Sequence, residues 1–275
     1  MPARAFAMPP TRRPSARSLA CAFAMTSPPA RSTAGPSVLE NLVPLPTSGP
    51  APGLPVETGL TALVDRARGL LERPGRALLG ITGAPAAGKS TLAGLLAREL
   101  GPAACLVPMD GYHLANSVLL ALGRRDRKGA PDTFDAGGYT ALLRRLHAAA
   151  GPDTDGGETA GGGETVYAPR FHREIEESIA GEIVIGPEAR LVITEGNYLL
   201  LPDAPWAGVR PLLDESWYVE PDEALRLRRL VDRHVEFGKS PAEAHAWAHG
   251  TDQNNAALIA RTRAHADLVV RLPAD

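Results

Sequence analysis

The chain has 275 residues, 44% of them hydrophobic, which is enough to bury a sizeable core in one large domain or two small ones. Its 29 basic and 31 acidic residues give a formal net charge of -2, so no strong overall field attracts nucleic acid or an anionic membrane. Two cysteines and no bilayer-length apolar stretch argue against a disulfide framework and a membrane span, and predict a cytoplasmic protein with a small-molecule partner.

Residues 1–55 are predicted to be a disordered Pro/Ala/Arg-rich tail. They hold 12 of the 26 prolines, and the first 39 residues contain five arginines but no lysine or acidic residue. Such a composition cannot build a packed core. A targeting peptide shares the arginine-rich character, but prolines interrupt every candidate helix, and Met25 offers an alternative first residue. The folded domain is therefore expected to span residues 56–275.

From residue 60 onward, apolar strands alternate with amphipathic helices, which predicts an α/β fold with a doubly wound, mostly parallel sheet. The predicted strands cover residues 77–82, 105–109, 190–194, 214–219 and 268–271, with the second and third placed centrally in the sheet. The predicted helices cover residues 60–71 and 90–100, a helix opened by Pro221 with Asp222 and Glu223 in its first turn, and residues 241–264. Residues 151–163, rich in Gly, Asp and Thr, predict a surface loop.

A phosphate-binding loop is predicted at residues 83–90, which read GAPAAGKS and have the Walker A spacing between a strand and a helix. Backbone N–H groups of such a loop and the following helix N-terminus bind phosphate anions. Lys89 is expected to reach the β and γ phosphates, and the Ser90 hydroxyl to bind Mg²⁺. The predicted ATP-binding residues are Gly83, Ala84, Pro85, Ala86, Ala87, Gly88, Lys89, Ser90 and Thr91. This loop alone leaves kinases, GTPases, motor ATPases and transporter ATPases open.

Two further acidic residues follow apolar strands. Glu195 ends the 190–194 strand, where a carboxylate can hold Mg²⁺ in the place of the usual Walker B aspartate. Asp110 lies in the segment MDGYHL after the 105–109 strand, at the sheet edge where open α/β sheets bind ligands. A carboxylate near an incoming hydroxyl can accept its proton, so Asp110 is the candidate general base. The alternatives are a solvated strand-end glutamate and a simple turn.

Together these motifs resemble the superfamily of P-loop small-molecule kinases that contains uridine kinase, type I pantothenate kinase and phosphoribulokinase. The resemblance lies in the segments GAPAAGKS, MDGYHL, RKGAPDTFD at 127–135, VYAPRF at 166–171 and ITEG at 193–196. The whole pattern is most similar to the nucleoside/nucleotide kinase or fructose transport system kinase branch. The resemblance implies acceptor-site roles for Tyr112, His113, Asp135, Tyr167 and Arg170, although Tyr167 can also simply pack and Asp135 can cap a helix. His172 departs from the family, where an aspartate is expected.

The helix after Pro221 carries Arg226, Arg229 and Arg233 on one face, and Leu227, Leu230 and Val231 are assigned to the opposing stripe. The resemblance makes residues 221–250 a helical lid, with Arg229 and Arg233 as catalytic cations beside Lys89 and Asp110; a solvated arginine face is the alternative. The sequence thus predicts an ATP- and Mg²⁺-dependent kinase for a small-molecule hydroxyl substrate, a nucleoside, pantothenate-like compound or sugar. The partner expectations are no nucleic acid, no membrane and possible homo-oligomers. The rival is a regulatory or chaperone-like P-loop NTPase without a small-molecule acceptor.

Overall fold

The structure is a computed structural model, and it describes residues 54–149 and 164–272. The predicted tail, apart from its last two residues, and the predicted loop at 151–163 lie outside the described residues. Within the described part, no helix is long and apolar enough to cross a membrane.

The predicted strands and helices occur in the predicted order, together with further strands and helices that the sequence analysis did not predict. The strands are β1 (Val56–Glu57), β2 (Ala77–Thr82), β3 (Ala104–Pro108), β4 (Val166–His172), β5 (Glu177–Ile185), β6 (Leu191–Glu195), β7 (Glu215–Val219) and β8 (Leu268–Val270). The α-helices are α1 (Leu60–Leu71), α2 (Lys89–Leu100), α3 (Asn116–Ala121), α4 (Ala136–Ala148), α5 (Glu223–Glu236), α6 (Pro241–His249) and α7 (Thr251–Ala260).

Six of these strands form one parallel sheet in the order β1-β8-β7-β2-β6-β3. Alternate residues of its strands enter two separate apolar clusters, as expected for strands buried on both faces. Leu79 and Ile193 pack with Leu92 of α2 on one face, and α1 belongs to the same cluster. Leu78 and Val192 pack with α4 and α7 on the other face. The predicted α/β, doubly wound fold is confirmed.

Several details of the sequence-based prediction are wrong. Strand β3 lies at the sheet edge rather than centrally, which fits its mostly half-buried residues. The helix predicted over 241–264 is two helices, because the chain turns at Gly250 between α6 and α7. Helix α5 begins at Glu223, and Asp222 is its N-cap, whose side chain accepts a hydrogen bond from the Leu225 N–H. The antiparallel β4–β5 hairpin was not predicted as a unit.

The sheet brings three predicted site segments to one edge. The phosphate-binding loop follows β2, Asp110 follows β3, and Glu195 is the last residue of β6. In the strand registers, Glu195 pairs with Ile81 of β2 on one side and with Pro108 of β3 on the other. Because the carboxyl ends of parallel strands meet at the same edge, the side chains that follow them converge.

Candidate active site

The phosphate-binding loop between β2 and α2 depends on two glycines. Gly83 has φ +150°, and a Cβ there would lie 2.6 Å from the Val219 carbonyl oxygen of the neighbouring strand. Gly88 precedes α2 with φ +96°, in the left-handed region that favours glycine. Ala86 also has a positive φ, 63°, which a residue with a Cβ adopts only when its surroundings hold it there. The sequence therefore closes this loop tightly against β7.

Lys89, the first residue of α2, folds back over the loop and is only 7% exposed. Its Nζ donates hydrogen bonds to the carbonyl oxygens of Gly83 and Ala84, both at 2.9 Å. Burial lowers the pKa of Lys89 to about 8, while the nearby carboxylates of Glu195 and Asp110 favour the charged form. The lysine, the loop and both carboxylates thus form one electrostatic unit.

Ser90 and Glu195, the two predicted metal ligands, meet in the structure. The Ser90 hydroxyl donates a 2.9 Å hydrogen bond to Oε1 of Glu195. Burial raises the pKa of Glu195, and the negative charge of Asp110 raises it further, while Lys89 opposes the change. A hydroxyl and a carboxylate side by side are hard oxygen donors, the type that Mg²⁺ prefers.

Asp110 lies in a short helical turn directly after β3, and Arg173 reaches it from the β4–β5 hairpin. The distance from Nη2 of Arg173 to Oδ2 of Asp110 is 3.4 Å. Arg173 also influences the pKa values of Lys89 and Glu195, which places its guanidinium among the same charges. Sequence reasoning missed Arg173. The sequence places Arg173 directly after the VYAPRF segment and His172, which indicates that it lies near the predicted acceptor site. Only the pairing of β4 with β5 shows that its guanidinium contacts Asp110.

The residues after Asp110 pack into an aromatic wall. The ring of His113 donates through Nδ1 to the Asp110 carbonyl oxygen at 2.9 Å and lies against Phe134 and Phe171. Burial lowers the pKa of His113, so the ring is neutral at pH 7. Tyr112 makes an edge-to-face contact with Tyr139, and burial raises its pKa to about 12. The rings of Tyr112 and His113 therefore pack beside Asp110, and their acceptor-site role stays a prediction.

The side chains of the other three predicted acceptor-site residues have other surroundings, although the Asp135 N–H donates a 2.8 Å hydrogen bond to the Tyr112 carbonyl oxygen. Asp135 is the N-cap of α4, and its carboxylate accepts the Gly138 N–H at 2.8 Å, which is the capping alternative. Tyr167 is 56% exposed on the outer face of the hairpin. Arg170 pairs with Glu182 at 3.0 Å and lines a groove beside β3. None of these contacts joins Asp135, Tyr167 or Arg170 to Asp110. His172, the departure from the family pattern, also contacts Glu182, at 2.5 Å.

The three arginines predicted to share one face of α5 have different surroundings. Arg226 is 1% exposed and donates to the Pro85 carbonyl oxygen of the loop at 3.1 Å. Arg233 is half-buried, and its pKa is lowered mainly by burial, with Asp110 and Glu195 opposing, so it lies in the field of the same site. Arg229 lines a shallow groove with Ala87 beside the loop. The assignment of Leu230 to the opposing stripe is wrong: Leu230 is fully buried on the same face as Arg226.

Comparisons with known proteins connect this geometry to a family. No family model matches the chain. A Schizosaccharomyces pombe protein provisionally named uridine kinase C227.14 is 30% identical over 221 residues, which are 76% of this chain and 88% of that protein. The chain belongs to the superfamily of P-loop small-molecule kinases. The ATP-dependent kinase-like protein notR′ of Aspergillus versicolor is 37% identical over 164 residues, 56% of this chain and 88% of that protein.

A solved structure supports the same superfamily and the branch that the motifs indicate. It is a protein of Silicibacter sp. TM1040, provisionally named a fructose transport system kinase. The two chains are 38% identical, the match covers 78% of this chain and 99% of that chain, and the TM-score is 0.67. The chain is therefore an ATP-dependent small-molecule kinase, a phosphotransferase with an alcohol group as acceptor.

Proposed function

We propose that the protein transfers the γ-phosphoryl group of Mg-ATP to a hydroxyl of a nucleoside, a pantothenate-like compound or a sugar, with Asp110 as general base. The observation that carries this proposal is the convergence of Asp110, Glu195 and Lys89 at the carboxyl ends of β3, β6 and β2. In in-line transfer the acceptor hydroxyl attacks the γ phosphate from the side opposite the leaving group. A carboxylate at the same end of the sheet as the phosphate loop can accept the proton of that hydroxyl.

The phosphate loop and the start of α2 bind the ATP phosphates in this proposal. Loop N–H groups and the helix N-terminus supply fixed partial positive charge, and Lys89 adds a full charge, since a pKa of about 8 keeps it protonated at pH 7. Its present partners, the Gly83 and Ala84 carbonyl oxygens, are exchanged for phosphate oxygens when ATP binds. Thr91 is exposed in the first turn of α2 and contacts the α phosphate in this proposal.

Ser90 and Glu195 would hold Mg²⁺, and their hydrogen bond shows that a hydroxyl and a carboxylate oxygen already lie together there. The bound ion would neutralise charge on the phosphate oxygens. Burial and Asp110 raise the pKa of Glu195, while Lys89, Ser90 and Arg173 favour its anionic form, which is the form that would hold the ion.

In the transfer step, Asp110, Arg173 and Arg233 act on the reacting groups. As the acceptor oxygen bonds to phosphorus, its proton passes to Asp110, and the bond from phosphorus to the β–γ bridging oxygen breaks to release ADP. Arg173 and Arg233 carry positive charge beside Asp110 and stabilise the equatorial oxygens in the transition state. Helices α5 and α6 form the lid, within residues 221–250.

Arg229 belongs to the nucleotide side in this proposal. The small groove that it lines, with Ala87, Asp222, Leu225 and Leu272, lies beside the loop and is more apolar than polar. Apolar side chains beside a phosphate loop can pack against the edge of a purine ring, and a guanidinium can stack on such a ring. We therefore assign Arg229 to the base of ATP rather than to the transferred phosphoryl group.

A metabolite screen tests the proposed function. Purified protein with Mg-ATP is offered pools of nucleosides, pantothenate-like compounds and sugars while ADP release is followed. We expect ADP release to depend on one pool, and to fall by roughly 10² to 10⁴ in Asp110→Asn, the usual worth of a positioned base. Asp126→Asn changes an exposed carboxylate outside the predicted site segments; it is the matched control and should keep full activity. ADP release that no alcohol stimulates would instead favour the regulatory NTPase.

A further inference from the structure

Arg226 lies outside the catalytic cluster, although it shares a helix face with the other lid arginines. Its guanidinium is one of the largest fully buried side chains of the described residues. Each of its three nitrogens donates a hydrogen bond. Nε and Nη2 donate to the two carboxylate oxygens of Glu223 at 2.8 and 2.7 Å, and Nη2 also donates to the side-chain oxygen of Gln253 at 2.5 Å. Nη1 donates to the carbonyl oxygen of Pro85 at 3.1 Å. A cation held on all sides in this way is not available to the transferred phosphoryl group.

The contact with Pro85 is directed at the backbone of the phosphate loop. Lys89 holds the carbonyl oxygens of Gly83 and Ala84, and Arg226 holds that of Pro85, so three consecutive loop carbonyls accept from cationic side chains. In a trans peptide the C=O and the next N–H point in opposite directions. When Arg226 draws the Pro85 oxygen toward α5, it turns the Ala86 N–H away from α5.

The conformation that results needs support. Ala86 has φ 63°, in the left-handed region that a residue with a Cβ disfavours. Once Lys89 exchanges its loop carbonyls for phosphate, Arg226 still anchors this peptide, because its fork is fixed by Glu223 and by Gln253 of α7. Gln253 in turn donates to Glu223 at 3.2 Å, which closes the network.

We propose that Arg226 is a positioning residue that orients the Pro85–Ala86 peptide for phosphate binding and links the phosphate loop to α5 and α7. The inference rests on the proposed role of residues 83–90 as the ATP phosphate site. It assigns Arg226 to the binding of the phosphate chain, and not to the base of ATP or to the acceptor.

The test compares three competitors of a fluorescent ATP analogue: Mg-ATP, tripolyphosphate and adenosine. In Arg226→Met we expect the Kd of Mg-ATP and of tripolyphosphate to rise about tenfold or more, the range for one lost charge-assisted hydrogen bond. The Kd of adenosine should stay unchanged. Arg228→Met changes an exposed arginine of the same helix and should leave all three values as in the wild type.

A general structural role makes a different prediction. In that case Arg226→Met would raise the Kd of adenosine and of tripolyphosphate by the same factor, or it would lower the melting temperature and leave all three Kd values unchanged. Either result overturns the proposal. If Arg226→Met does not fold, the variant Glu223→Gln decides the question. Glu223 is a surface carboxylate that holds the Arg226 guanidinium, so we expect the tripolyphosphate Kd to rise about threefold, the lower end of the range for one net hydrogen bond. An unchanged value refutes the inference. Wild-type protein that binds neither Mg-ATP nor tripolyphosphate would refute the phosphate site itself.

Discussion

Replacing Lys89 by Met should remove a pH dependence of stability that the buried ammonium creates. The pKa of Lys89 falls from 10.5 to about 8 in the folded protein, mainly because burial disfavours the charged form. This difference corresponds to about 3 kcal/mol. Between pH 8 and 10.5 the unfolded lysine binds more protons than the folded one, so the free energy of unfolding of the wild type should rise with pH. Below pH 8 both states are protonated and this contribution is constant.

Denaturant unfolding of both proteins, at several pH values from 7 to 10.5 without nucleotide, measures this difference. Tyrosines titrate in the same range, but they are common to both proteins, so the wild-type value minus the Lys89→Met value isolates the lysine. We expect the difference to grow by about 3 kcal/mol in favour of the wild type across this window. Lys89→Met should also lose phosphoryl transfer and bind Mg-ATP weakly while remaining folded.

Curves for the two proteins that stay parallel from pH 7 to 10.5 would refute the reasoning, because they would show that Lys89 is not buried as a disfavoured cation. Saturating Mg-ATP offers a second check on the wild type. Phosphate charge beside Lys89 favours the ammonium form, so the rise in stability above pH 8 should shrink when the nucleotide is bound.

Three further predictions concern the site and its support. Arg173→Met should lower transfer to the acceptor about tenfold or more, the worth of one charged hydrogen bond, with the Kd of Mg-ATP unchanged, because the arginine contacts Asp110; steady-state kinetics check this. Glu195→Gln should raise the Mg²⁺ concentration that gives half-maximal activity. Because the pKa of Glu195 is raised, the wild type should also need more Mg²⁺ as the pH falls, and this change should begin at a higher pH than it would for a glutamate of ordinary pKa. Tyr139→Phe should cost about 1 kcal/mol of stability through its buried hydrogen bond to Thr194, with kinetics unchanged; retained stability in denaturant would contradict it.

The sequence predicted the sheet and the phosphate loop well because their signals are local. The apolar run before GAPAAGKS and the leucines after it specify strand and helix by themselves, and β2 and α1 have the predicted bounds. The order of strands is not local. Strand β3 was placed centrally because it is apolar, whereas its half-buried residues belong to an edge that only strand pairing reveals.

The residues of the candidate site also fall into those that local sequence predicts and those that depend on strand pairing. Lys89 and Ser90 were predicted from the Walker A spacing, and Asp110 and Glu195 were predicted because each follows an apolar strand. Arg173 was missed, since its position depends on the β4–β5 hairpin and on Pro169, whose carbonyl oxygen packs so closely on Gly111 that a Cβ there would lie 2.3 Å away. Helical periodicity placed Arg226, Arg229 and Arg233 on one face, but it assigned Leu230 to the wrong stripe and could not show that Arg226 is buried in a hydrogen-bond network.

The most direct test of the central claim follows the γ-phosphoryl group itself. With ATP labelled at the γ phosphate, and the alcohol that the screen selects, the label should appear in the phosphorylated alcohol in equal amount to the ADP released. Asp110→Asn should lose both signals together while it still binds Mg-ATP. Label that appears only in inorganic phosphate, at a rate independent of the alcohol and of Asp110, would contradict the account.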